Sequence, residues 1–213
     1  MAATAGYLAT ISMTGTATTM TNEAMSGGGV TFQITAATKR IVDPATAITI
    51  KDGASTINPS TYTFNYLTGT VVLSGAPTGS VTITGKFLPV RQIAQAYELD
   101  VSLSRTLVDT SLLGTEHTLR TAALGDITGS LSCYDTGLEA YTDISLASVL
   151  QSGVSKVIEM SWNGGTNYLR FFSKLESVEA SASVDGVQTA TASFSMDAQT
   201  AVTTGQEVDF SII

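Results

Sequence analysis

Tyr97-Glu98-Leu99-Asp100-Val101-Ser102-Leu103-Ser104-Arg105 decides the fold class of this chain. In an extended strand Tyr97, Leu99, Val101 and Leu103 fall on one face, and Glu98, Asp100, Ser102 and Ser104 fall on the other. A period of two, with acids and small hydroxyls opposite an apolar stripe, describes a sheet packed on one face and wet on the other. Residues 177–184 repeat it: Val178, Ala180, Ala182 and Val184 alternate with Ser177, Glu179, Ser181 and Ser183. Strands this regular, with no cluster of reactive side chains beside them, suggest a protein that presents a surface. No enzymatic activity is expected.

The rest of the composition agrees with a β protein. Roughly one residue in six is Thr, glycines number 19, and only 13% of residues are charged. Thr, Val and Gly in such amounts write strands and turns. At 213 residues the chain is long enough for one large β domain or two small ones, with a core that needs no staples. A single cysteine excludes an internal disulfide framework. No basic segment followed by an apolar run opens the sequence, and no apolar run approaches the ~18 residues of a membrane span, so neither an export signal nor a membrane partner is expected. A mean hydropathy of +0.24 with so few charges predicts that more surface is hidden in an oligomer.

Charge is divided unevenly. Residues 1–90 carry four bases (Lys39, Arg40, Lys51, Lys86) and three acids (Glu23, Asp43, Asp52), a balance of +1. Residues 91–213 carry six bases and fifteen acids, a balance of −9. The asymmetry marks two regions with different jobs. An acidic balance argues against affinity for nucleic acid, which depends on Lys and Arg releasing counterions, but not against contact without affinity.

Turn signals every eight to twelve residues place short strands through the first ninety residues, as in a small sandwich or barrel. The expected strands include residues 6–13, 31–35, 61–66, 71–73 and 81–87, with the stretch after Met13 read as a Thr- and Gly-rich turn region ending in Gly27, Gly28 and Gly29. Leu88-Pro89 ends that run. After the Tyr97 strand, residues 106–125 show no firm period, and a strand resumes at 127–134. The one good helix signal spans 143–153, with Asp143 as N-cap and Gly153 just past the end. Asn163-Gly164-Gly165 and Asp185-Gly186 are hairpin signals.

Motifs of chemistry are sparse. His117 is the sole histidine and no Gly-x-Ser-x-Gly turn accompanies it, so it reads as a loop histidine. Cys133 shares the alternating face of Leu131 and reads as a buried thiol. One His and one Cys do not make a zinc site, so no metal and no cofactor are expected. Gly27-Gly28-Gly29 lacks the Lys-Ser/Thr ending of a phosphate loop. Lys39-Arg40 reads as a solvated basic spot, and Trp162 as a core residue beside Ile158 and Met160. Glu98, Asp100 and Glu179 could form a hydrolytic carboxylate pair, but the faces around them offer Ser rather than a substrate platform, and a solvated acidic face is the simpler reading.

The order of elements, namely an acidic alternating strand, a long loop with Asp109-Thr110 and Gly114, a Gly-Ser strand, one short helix and two hairpins, resembles the tail tube (major tail) protein of long-tailed bacteriophages. That family is related in fold to the inner tubes of contractile tails and type VI secretion systems. The resemblance covers residues 91–213 best. Lys39-Arg40-Ile41-Val42-Asp43-Pro44 and Tyr62-Thr63-Phe64-Asn65-Tyr66 are similar to segments of tail tube proteins with an extra N-terminal β region. It implies an all-β fold with one short helix: a tail-tube β-sandwich or barrel at 91–213, with its helix near 143–152, and an additional β-rich module at 1–90 whose first strand could belong to the core. It further implies a virion protein whose hexameric rings stack on one another and on other tail proteins, around a lumen that conducts DNA without binding it. Glu98, Asp100, Ser102, Ser177, Glu179 and Ser181 are then expected on the lumen face, and Asp109, Thr110, Gly114, Glu116 and His117 in a ring-stacking loop. Other open readings are a capsid decoration or tail-end protein, an Ig-like cell-surface adhesion module, and a carbohydrate hydrolase on a β scaffold.

Overall fold

Alternation in the sequence becomes alternation in burial along most of the chain, because a strand with one apolar face is stable only where that face meets another layer. The structure is a computed structural model, and it describes residues 10–93, 96–109, 120–134, 146–162, 167–181, 189–197 and 208–211. The first strands are β1 (Thr10–Thr14), β2 (Thr18–Gly28), β3 (Thr31–Ile34), β4 (Thr49–Asp52), β5 (Ser55–Thr56), β6 (Tyr62–Asn65), β7 (Thr70–Leu73), β8 (Val81–Phe87) and β9 (Val90–Gln92). The acidic half follows with β10 (Ala96–Asp109), β11 (Arg120–Tyr134), α1 (Leu146–Ser152), β12 (Lys156–Trp162), β13 (Asn167–Ser181), β14 (Thr189–Met196) and β15 (Val208–Ser211). The protein is all-β with one short helix, in two antiparallel sheets.

One sheet runs β5-β4-β8-β2-β3-β7-β6; the other runs β10-β11-β14-β13-β12-β1-β9, with β15 beside β13. Thus β1 is a strand of the sheet built from the acidic half, paired with β12 and β9, while residues 18–87 form the other sheet. Each sheet wraps a core of its own. Met13, Ile127, Leu131, Ile158, Leu169, Phe171 and Phe194 form one cluster. They come from strands that are not all neighbours, so this sheet curves around them. The other cluster centres on Ile34, Val42, Ile50, Leu67, Val71 and Ile83, and it also takes in Val157 and Phe172. Phe171 and Phe172 therefore point into different cores. Each is essentially unexposed, a burial that contributes about 2–3 kcal/mol per ring.

A polar bond joins the two bodies: Arg170 Nη1 donates to the Leu67 carbonyl at 3.4 Å. Lys156 Nζ donates at 3.1 Å to the carbonyl of Gly15, in the link between β1 and β2. Arg170 also pairs with Glu159 at 2.7 Å and Asp209 at 3.7 Å, one residue on each flanking strand of the same row. Burial holds the Lys156 ammonium below its usual pKa, with Asp43 opposing that shift.

Several boundaries differ from the sequence reading. Residues 18–28, taken as a turn region, are a strand whose period is broken by a bulge between Met20 and Glu23, with Asn22 at φ 48°; Asn tolerates that conformation. The strand expected at 127–134 begins at Arg120, and β10 runs to Asp109, so much of the stretch that lacked a period is ladder. The described part of the helix is Leu146–Ser152 and it ends as foreseen, with Gly153 at φ 61° donating to the Val149 carbonyl; Asp143 lies outside the described residues. Lys39 and Arg40 are not merely solvated: Lys39 pairs with Glu23, and Arg40 Nε donates to the Ile34 carbonyl at 3.0 Å.

Candidate functional site

Four strands in the order β10-β11-β14-β13 carry the alternating sequences, and their registers stack those sequences into rows. In an antiparallel ladder, directly paired residues project on the same side. One row reads Glu98–Ser132–Thr191–Glu179, and the next reads Asp100–Ser130–Ser193–Ser177. A third reads Ser102–Thr128–Ser195–Lys174. Ser104 faces Asp126 below them, and Tyr134–Thr189–Ser181 stand above. All six residues expected on one polar face, Glu98, Asp100, Ser102, Ser177, Glu179 and Ser181, therefore do share a face. At ~4.8 Å between strands and ~6.8 Å between rows, the wall is about 15 Å by 27 Å.

The opposite side of the same strands is apolar. Leu99–Leu131–Ala192–Val178 and Val101–Gly129–Phe194–Leu175 are paired rows, and Leu131 and Phe194 are fully buried in the core. Cys133 is buried there too, its thiol donating to the Ala190 carbonyl at 3.6 Å. Trp162 packs on that cluster with Ile158 as expected. A one-residue slip would exchange the two faces and bury carboxylates, which fixes the register.

On the wall, four carboxylates (Glu98, Asp100, Asp126, Glu179) face one ammonium, Lys174, which stands 3.2 Å from Asp197. Between them lie hydroxyls, among them Ser132 and Thr191 bonded at 3.2 Å. Glu98 and Glu179 are three strand spacings apart, about 14 Å, too far for a hydrolytic carboxylate pair, which stands ~5–9.5 Å apart. Among the described residues no group of acids, His and Cys is arranged to hold a metal ion.

Sequence reasoning misplaced one wall residue and missed several. Tyr97 was assigned to the apolar stripe, but a bulge between Ala96 and Glu98 shifts its parity. Its ring lies 4.7 Å from that of Tyr134, and it is 49% exposed. Bulges re-aim side chains in this way. Asp126, Ser130, Ser132, Thr191 and Ser193 were not singled out, although the alternations at 127–132 and 189–195 carried the signal. Asp109 is the last residue of β10, paired with Arg120. Thr110, Gly114, Glu116 and His117 lie outside the described residues.

Among the described residues, β10 pairs only with β11, residues 174–181 have no partner strand on the side of β13 that holds β12 at residues 167–173, and beyond the Thr128–Ser195 rung β10 and β11 continue as a two-stranded ribbon to Asp109 and Arg120.

No family model matches the chain, and no curated protein does. Among solved structures it is similar to a chain in the tail of an empty gene transfer agent particle with C6 symmetry: 12% identity, TM-score 0.46, 58% of this chain and 87% of that one covered. It is also similar to a chain in the virion of a native gene transfer agent particle, with 12% identity and TM-score 0.46 over 58% of this chain and 89% of that one.

Proposed function

We propose that the protein is a structural subunit of a bacteriophage tail tube, built into stacked hexameric rings whose joined walls line a channel for DNA. One observation carries this reading: a four-stranded wall, acidic and hydroxyl-rich on one face, packed on the other, and without a partner strand at either edge among the described residues. Exposed edges of this length invite pairing. Strand directions alternate from β10 to β13, so the β13 edge of one copy meets the β10 edge of the next antiparallel, and closing the circle removes every edge. Six copies give about 24 strands; at ~4.8 Å spacing and ~40° tilt the backbone circle is about 48 Å across. After side chains a bore of roughly 35–40 Å remains, wide enough for a DNA duplex. DNA carries one charge per ~1.7 Å of axis, so a wall of carboxylates and small hydroxyls repels it and offers nothing to hold it.

The ribbon of β10 and β11 fits ring stacking, the role expected of Asp109, Thr110, Gly114, Glu116 and His117. A two-stranded ribbon is marginal alone and gains from a partner. The sheet of residues 18–87 is seated on β12 and β13 through Val157 and Phe172, just beyond the Lys174 end of the wall, and the reading assigns it to the outside of the tube, with 91–213 and β1 forming the tube itself.

Electron microscopy of the purified chain should show rings or tubes with a central hole. Thr128→Lys with Ser130→Lys places two cations per subunit in mid-wall, one strand in from the β10 edge, and the resulting tubes should retain added DNA in a salt-dependent way. Particles without a hole, or lysine-bearing tubes that retain no more DNA than the unaltered ones, overturn the reading.

A further inference from the structure

On the tube reading, the contact between copies joins the β10 edge to the β13 edge, and the charges on those two edges have the same sign. The β10 edge presents Glu98 and Asp100, both exposed; the β13 edge presents Glu176 and Glu179, both exposed. Lys174 is the one base within residues 98–104 and 174–181, and its ammonium is engaged by Asp197; Arg105 follows farther along β10. Asp126 stands on the same face one strand inward, on β11.

The registers available to this junction are few. Keeping the polar face continuous allows only even shifts between the strands. With rows continued straight across, Glu179 stands opposite Glu98; a shift of four, about the stagger that ~40° of tilt needs at each of six junctions, sets it opposite Ser102 with Asp100 as its diagonal neighbour. A shift of two in one direction sets it opposite Asp100. In the other direction Glu98 becomes its diagonal neighbour. Each places carboxylates of two copies about 5–8 Å apart, within the Debye length of ~8–10 Å at moderate salt. A ring of six repeats the contact at every junction, so a small repulsion per contact acts several times over before the ring can close.

We propose that this junction governs assembly through charge: Glu98 and Asp100 of one copy oppose Glu179 of a second copy, holding free subunits apart until the carboxylates are screened or neutralised. The acids that keep DNA off the wall thus also restrain premature polymerisation of soluble subunits. The inference rests on the tube reading, and its test separates the two.

Assembly of the full chain is followed by sedimentation velocity and light scattering while NaCl is raised from low concentration to about 1 M, over which the Debye length falls from ~30 Å to ~3 Å. Assembly should rise with salt. Glu98→Gln with Glu179→Gln should lower the salt needed for half-assembly at least about threefold, whereas Asp126→Asn, which removes a wall acid away from the edge, should shift it much less. Glu179→Lys should invert the dependence, assembling at low salt and dissociating as salt rises; unchanged circular dichroism confirms that each variant is folded. If Glu179→Lys keeps the original salt slope, or if Asp126→Asn shifts assembly as far as the edge pair, the charge proposal fails while the tube reading stands. If neither the original chain nor any variant forms a ring at any salt, the tube reading fails and takes this inference with it.

Discussion

Replacing Gly129 by alanine should be among the most damaging single-methyl changes in the molecule. Gly129 lies in the row Val101–Gly129–Phe194–Leu175 on the packed side of the wall. A Cβ built there would stand 2.0 Å from the Asp100 carbonyl oxygen, and 2.7 and 3.0 Å from Cζ and Cε2 of Phe194. Ordinary contact begins near 3.4 Å, so β10 must retreat by roughly 1.4 Å. Ladder bonds near ~2.9 Å would then stretch past hydrogen-bonding distance. Two neighbouring bonds at about 1 kcal/mol each, with about 1–3 kcal/mol for displacing the Phe194 ring, give a loss of about 3–5 kcal/mol. Urea unfolding monitored by Trp162, the only tryptophan and packed against this cluster, measures it. Gly28→Ala is the control: nothing lies within 4 Å of its Cβ position, and a change within about 0.5 kcal/mol is expected. Combining Gly129→Ala with Phe194→Leu should recover the ring's share but not the carbonyl's. A loss below about 1 kcal/mol for Gly129→Ala alone would refute the close approach of β10 and β11.

Two further outcomes follow from the same structure. Phe172→Ala removes a ring that sits on β13 but packs in the core of residues 18–87; it should cost about 3–5 kcal/mol, with hydrogen exchange accelerating in β3 and β7, whereas protection lost only in β10 and β11 would contradict the assignment. Asp52 should make one turn acid-sensitive: the amides of Thr78 and Gly79 donate to its carboxylate and, led by Thr78, hold its pKa below 3.8 despite an opposing desolvation effect. With a depressed folded-state pKa, the stabilisation is complete above pH 3.8 and fades as pH falls through the lower folded value. The Thr78 and Gly79 amide shifts should follow that titration in the native protein and stay flat in Asp52→Asn.

The wall was legible because burial on one side forces strict alternation, and residues 98–104 and 177–181 obey it. Tyr97 was misassigned because a single bulge residue inverts parity, and nothing in Ala96-Tyr97-Glu98 announces a bulge. The same physics hid β2, where Asn22 interrupts the period between Met20 and Glu23. Residues 106–109 and 120–125 gave no period because that ribbon flanks no other strand among the described residues and crosses an irregularity between Arg105 and Leu107. Strand order was the least legible feature. The wall joins β11 to β14 across an intervening helix and hairpin, and no local signal specifies that pairing.

β13 shows how one strand serves both bodies. Over 171–173 three consecutive residues are buried, with Phe171 in one core and Phe172 in the other, as expected of a strand covered on both faces. From Lys174 onward the exposed side returns, and the irregularity between Leu175 and Ser177 marks the change. The body of residues 18–87 is thereby anchored on the very strand whose far half forms one edge of the wall. Strain applied at the seat of residues 18–87 thus has a direct covalent route to the proposed junction between copies. The two halves of β13 nonetheless face different surroundings, and only the far half bears the acids that the proposed channel requires. On the proposed arrangement the sheet of residues 18–87 is free to vary in sequence so long as it covers Val157 and Phe172, whereas the far half of β13 must satisfy packing, charge and edge pairing together.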